Sequence, residues 1–206
     1  MALAFSSLAE AAWHKASSKH FIIYSQQKPE QLRAYAEKLE RFDQAARRIL
    51  SKPDPAIGDG NRLSIYVLGD IDAVRRLHGR KDDSIAGFYI GRYSGSVAFT
   101  PRRADEHFSG GIKADWVFFH EYNHHLMFQQ FDRPYPNWYI EGFAELLGTP
   151  TFGKDGSVTL GAAPQHRGWG LFGSGGLTTR QLLESQPVFG AHDAVFASVR
   201  ERTTYE

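Results

Sequence analysis

The run His120-Glu121-Tyr122-Asn123-His124 sits inside a stretch, Ile112 to Phe131, that holds no proline and no glycine. Gly110-Gly111 precedes that stretch and Asp132-Arg133-Pro134 stops it, so the sequence predicts one uninterrupted helix. Residues four apart share a helical face. His120 and His124 therefore offer two imidazoles to one metal ion, and Glu121 projects beside them, where a carboxylate can accept a proton from a metal-bound water. Trp116, Val117, Phe119, Met127 and Phe131 mix with Phe118, Tyr122 and Leu126 around the cylinder, and a helix apolar nearly all round is a buried one. Ionisable groups in a buried helix need partners, and a metal supplies them for His120, Glu121 and His124. The competing account is a helix that merely carries two surface histidines. His125 faces elsewhere and reads as an ordinary histidine.

Two histidines do not complete a catalytic zinc site. Three protein ligands and an open position do, and two histidines with a glutamate form one known set. A second helix is predicted over Asn137 to Gly148, with Asn137 as its N-cap and Gly148 before Pro150 as its stop. Glu141 and Glu145 lie four apart on it and share a face, in a helix otherwise apolar. The plainer accounts are an acid favoured by the helix dipole for Glu141 and a surface acid for Glu145.

On these residues the chain resembles the gluzincin metallopeptidases, the group that includes thermolysin and the aminopeptidase-like enzymes. Their pattern is H-E-x-x-H followed by a second helix with a glutamate ligand and, four residues on, another acid. His120, Glu121, His124, Glu141 and Glu145 match it position by position. The run Tyr139-Ile140-Glu141-Gly142-Phe143-Ala144-Glu145 is similar to the Trp-x-x-Glu-Gly-x-Ala-Glu stretch of the peptidase-MA-like branch. Trp13 to Ser25 and Ala86 to Tyr89 resemble a small bacterial branch of that clan, so the resemblance covers most of residues 12–150.

The resemblance implies an α+β, thermolysin-like zincin catalytic domain, with a small mixed sheet packed on the H-E-x-x-H helix and a following glutamate helix. It implies Zn2+ held by His120, His124 and Glu141, and a peptide or protein substrate. It makes Glu121 the general base and then the proton donor to the leaving amine. Glu145 would hydrogen-bond the far nitrogen of a ligand histidine, His120, fixing its tautomer; well-known members often carry Asp at that place. Tyr205 stands where the family has a transition-state donor, although a tyrosine at a chain end is more simply unstructured; His166 and His192 are the other candidates. Related gluzincins continue with further helices, so the chain reads as truncated at its C-terminus. The alternatives are a non-catalytic protein with a structural or vestigial zinc site, and a non-haem iron enzyme built on the same facial set. The Gly-x-Met-Glu-Asn motif of aminopeptidases is absent, which disfavours N-terminal trimming.

The chain of 206 residues is long enough for one domain with a sizeable core, placed at 12–206. Its formal charge of +1 gives no electrostatic case for nucleic acid, and no apolar run approaches the roughly 20 residues of a membrane span. The absence of cysteine excludes disulfides and thiolate zinc ligands. Ala2 to Leu8 is a short apolar run followed by Ala9-Glu10-Ala11, a small-x-small form. Residues 1–11 therefore read as a signal-peptide remnant or a frayed terminus, and export is favoured over a cytoplasmic location.

Periodicity predicts a strand over His20–Ser25, a helix from Pro29 to Leu50, a strand over Leu63–Leu68 and a helix over Asp70–Leu77. Ala86–Ile90 and Ser96–Thr100 are expected to pair as a hairpin, with Ser96–Thr100 as the sheet edge above the metal, where an extended substrate could add as a strand. A further hairpin is expected of Thr151-Phe152 with Val158–Leu160. Gly161 to Gly176 reads as a mobile loop beside the cleft, Thr178-x-x-Gln181 as a capping box opening a helix through Leu183, and Ala194 to Arg202 as helical.

Overall fold

Alternation of apolar and polar residues sets the strands, and the buried rows all face one way. The computed structural model describes residues 12–54, 56–79, 85–92, 94–103, 112–130, 135–164 and 179–184. Strand β1 (His14–Ser17) pairs antiparallel with β2 (Phe21–Ser25). Helix α1 (Pro29–Ile49) carries the chain over to β3 (Leu63–Leu68), parallel to β2 with Ile23 opposite Ile65. Helix α2 (Ile71–His78) follows, capped by Asp70, whose side chain accepts from Ala73 N at 2.9 Å, and ended by Gly79 at φ +77°. Strands β4 (Phe88–Ile90) and β5 (Val97–Pro101) form an antiparallel hairpin in which β5, not β4, lies parallel against β3. The sheet order is β1-β2-β3-β5-β4.

Helices α1 and α3 (Ala114–Gln130) cover one face. Leu32, Leu39 and Phe42 from α1 join Phe118, Phe119, Tyr122 and Leu126 from α3 over Phe21, Ile23, Leu63, Ile65 and Ala98. Phe42 and Phe119 meet with ring centroids 4.3 Å apart. On the opposite face, the rings of Tyr24, Tyr66, Phe99 and Phe88 stack across four strands at 4.9, 5.3 and 4.5 Å. Helix α4 (Asn137–Gly148) packs on α3, and the short hairpin of β6 (Thr151–Phe152) and β7 (Val158–Thr159) follows it. Arg41 of α1 clamps that hairpin by donating from Nη2 to Gly153 O and Ser157 O, each at 3.1 Å. A last helix, α5, spans Thr179–Leu183. No helix among the described residues is long and apolar enough to cross a membrane.

The chain is thus mixed α+β. Three expectations need correction. Ser96–Thr100 is not the sheet edge: the chain leaving α2 runs first along the outer position as β4, and the hairpin return lays β5 between β4 and β3. Asn137 is the first residue of α4, and Pro136 holds the N-cap position, because the fixed extended backbone there (φ −58°, ψ 147°) already leads into the helix. Ile112 and Lys113 precede α3 rather than belonging to it. Tyr205, His166, His192, Phe131, Thr178, Gly173–Gly176 and Ala194–Arg202 lie outside the described residues, as do residues 1–11.

Candidate metal centre

Helix α4 runs back along α3, so residue numbers fall on one as they rise on the other. Gly148 faces the backbone of His120, and a Cβ there would stand 3.6 Å from His120 Cα. Asn123 Nδ2 donates to Ala144 O at 3.0 Å. His124 and Glu141 face each other at 3.6 Å between Nε2 and Oε1. This antiparallel seam brings together four of the five residues that the two sequence patterns single out, His120, His124, Glu141 and Glu145.

His120 lies at its centre. Its Nε2 stands 3.2 Å from Glu141 Oε2, and its Nδ1 3.2 Å from Glu145 Oε1. The Nε2 atoms of His120 and His124 are 3.1 Å apart. One donor atom each from His120, His124 and Glu141 can be chosen so that all lie within 4.8 Å of one another, and among the described residues no fourth His, Cys, Asp or Glu joins that group. Two imidazole nitrogens turned to the same point as a buried carboxylate form the donor set of a borderline-soft divalent ion, and zinc fits it.

The electrostatics follow from burial and mutual proximity. Burial alone lowers the pKa of His120, but the Glu141 and Glu145 carboxylates outweigh it and hold the imidazolium well above the ordinary range. Burial would raise Glu141, yet the charges of His124 and His120 bring it below its ordinary value. Among the described residues Glu121 forms no ion pair with a cation. Burial pushes it up to about 7, the charge of His120 draws it back, and the Glu141 and Glu145 charges add to the rise.

The residues around the motif are built in as well. Tyr122 donates its hydroxyl to Asp43 on α1, whose Oδ1 also accepts from Arg47 Nε at 2.7 Å. Asp43 Oδ2 stands 3.5 Å from His20 Nδ1, which in turn donates to Glu40 at 2.6 Å. The donor atoms of His20, Glu40 and Asp43 also converge, but the Arg47 guanidinium already supplies Asp43 with a positive charge. His125 is buried at 5% exposure and packs under the edge strand: its Nδ1 lies 3.0 Å from the Tyr89 hydroxyl, which donates to Ser96 Oγ at 3.0 Å. Burial drops its pKa to about 3, so it serves as a neutral structural imidazole inside the core. Sequence reasoning passed over Asp43, Asn123 and Tyr89, and it takes the Arg47-Arg48 pair as solvated, whereas Arg47 is buried at 3% exposure against Asp43; the available signal was Asp43 on the apolar stripe of α1, between Leu39 and Ala46, with Arg47 four residues on.

Comparison of the chain with protein-family models, with curated proteins and with solved structures gives no match in any of the three.

Proposed function

We propose that the chain is a zinc-dependent peptidase of gluzincin type, hydrolysing amide bonds on a thermolysin-like zincin scaffold. The observation that carries this reading is the double use of His120, with Glu141 at Nε2 and Glu145 at Nδ1, while His124 Nε2 converges on the same point. A carboxylate on the far nitrogen of a ligand histidine fixes its tautomer and raises its basicity. His120, His124 and Glu141 would hold the ion. A bound zinc ion supplies Lewis acidity, acidifying water and polarising a carbonyl oxygen.

The remaining chemistry belongs to the chain. Glu121 sits beside the first ligand; it would take the proton of a water at the site as the carbonyl is attacked and return it to the departing amine nitrogen. Strand β4 is the sheet edge on this side, and the residue before it, Gly87, packs on Glu121. An extended peptide laid along β4 would be held by main-chain hydrogen bonds next to the base.

Metal analysis of wild type, His124→Ala, Glu141→Ala and Glu121→Gln, with hydrolysis of a casein or peptide-library substrate, tests the reading. One zinc per chain is expected in wild type and in Glu121→Gln, and none in the two ligand variants. Hydrolysis is expected from wild type alone. Full activity in Glu121→Gln would remove the assigned base, and a wild type that takes up no zinc would remove the reading.

A further inference from the structure

Asn123, the second spacer residue of His-Glu-x-x-His, is fully buried and spans the seam between the ligand helices. Its amide orientation is fixed by chemistry: Nδ2 must face Ala144 O, because the flipped amide would set two oxygens 3.0 Å apart. Its Oδ1 is buried and has no hydrogen-bond partner among the described residues. An unpaired buried amide oxygen is destabilising, and an apolar side chain of equal size would avoid it. The residue therefore contributes something other than packing.

Its position indicates what. Asn123 lies three residues after His120 and one before His124; Ala144 lies three after Glu141 and one before Glu145. The hydrogen bond thus crosses the middle of the quadrilateral formed by the four site residues. Apolar contacts between helices are non-directional, and a slip of one residue along a helix axis is about 1.5 Å. A slip of that size would take Glu141 and Glu145 off the two nitrogens of His120 together. The Asn123–Ala144 bond, which uses none of the four site side chains, opposes it.

Building on the zinc reading above, we infer that Asn123 is a positioning residue that pins the axial register of α4 against α3, and so sets the geometry and affinity of the His120–His124–Glu141 metal site.

The test is titration of the full chain with Zn2+ against a chromogenic chelator, and with Co2+ followed by its visible absorption, for wild type and Asn123→Leu. Leu keeps the volume and removes both the pin and the unpaired oxygen, so the metal-free variant is expected to melt at or near the wild-type temperature. Its zinc affinity is expected to fall about 10–100-fold, the usual effect of losing a group that orients ligands, with a changed cobalt spectrum. Asn123→Asp, which turns an anionic oxygen toward Ala144 O, is expected to bind more weakly still. Unchanged affinity and an unchanged cobalt spectrum in Asn123→Leu would overturn the inference while leaving the zinc reading intact. A wild type that binds neither metal would overturn both, without reference to any variant.

Discussion

The backbone at Gly87 lies against the side chain of Glu121, so close that a Cβ at position 87 would stand 3.2 Å from Glu121 Cγ and 2.5 Å from Val117 Cγ1. The same Cβ would meet Phe99 O at 3.1 Å. Neither the branched, buried Val117 nor the β5 backbone yields easily. Gly87→Ala is therefore expected to cost about 1–3 kcal/mol of stability through overpacking and to displace Glu121. Under the proposed mechanism, turnover would fall on the order of 100-fold with zinc content unchanged. Loss of zinc in parallel with activity would show instead that the strand supports the ligand helix and not the base.

Glu145 meets the site at His120 Nδ1. Glu145→Ala is expected to lower zinc affinity about 10–100-fold, and Glu145→Gln by less, since its amide oxygen still accepts from Nδ1–H. Competition with a chelator gives both numbers. Equal affinity in all three proteins would reduce Glu145 to a bystander.

Asp43 and Arg47 form an ion pair in the core, at 1% and 3% exposure. Asp43→Asn strands a buried guanidinium, so a loss of about 3–5 kcal/mol is expected in urea unfolding. Tyr122→Phe leaves that pair intact and removes one donor, so its cost should be about 1–2 kcal/mol. A larger loss from Tyr122→Phe than from Asp43→Asn would contradict this ranking.

The pH dependence of stability should carry the mark of His20. Burial pulls its pKa down, but the hydrogen bond to Glu40, the charge of Asp43 and the hydrogen bond to Asp54 together raise it above 6.5. Its contribution is then complete below 6.5 and disappears as pH climbs through the raised value. Burial pushes Glu40 up, but its contacts with His20 and Ser18 bring it below 4.5. That contribution is complete above 4.5 and disappears as pH falls through the lowered value. The melting-temperature gap between wild type and His20→Gln should accordingly be widest between 4.5 and 6.5 and narrow on both sides. A gap independent of pH would mean that His20 folds without taking up a proton.

Local rules made most elements legible in the sequence. Leu63–Leu68 shows a strict alternation and α1 a long amphipathic stripe opened by Pro29. Strand β1 was not legible, because His-Lys-Ala-Ser alternates only between exposed and half-buried positions and carries no apolar face. The order of strands was not legible either: nothing within Ser96–Thr100 records that β5 will be flanked on both sides, since that depends on where α2 sets the chain down. In the site, the spacings within 120–124 and 141–145 were enough to nominate five residues, because helical periodicity acts over one turn. The distances across the seam, and the contacts of Asn123, His125 and Tyr122 with three different elements, come from packing between segments far apart in the chain.

Those three contacts bear on how far a five-letter pattern describes this helix. Tyr122 reaches α1, Asn123 reaches α4 and His125 reaches the edge strand, so every letter from 120 to 125 is occupied by an obligation to some neighbour. A designer who transplanted only the two histidines and the glutamate into another buried helix would carry over the reagents without the scaffold that aims them. The transferable unit in this fold is the six-residue block together with Asp43, Ala144 and Tyr89.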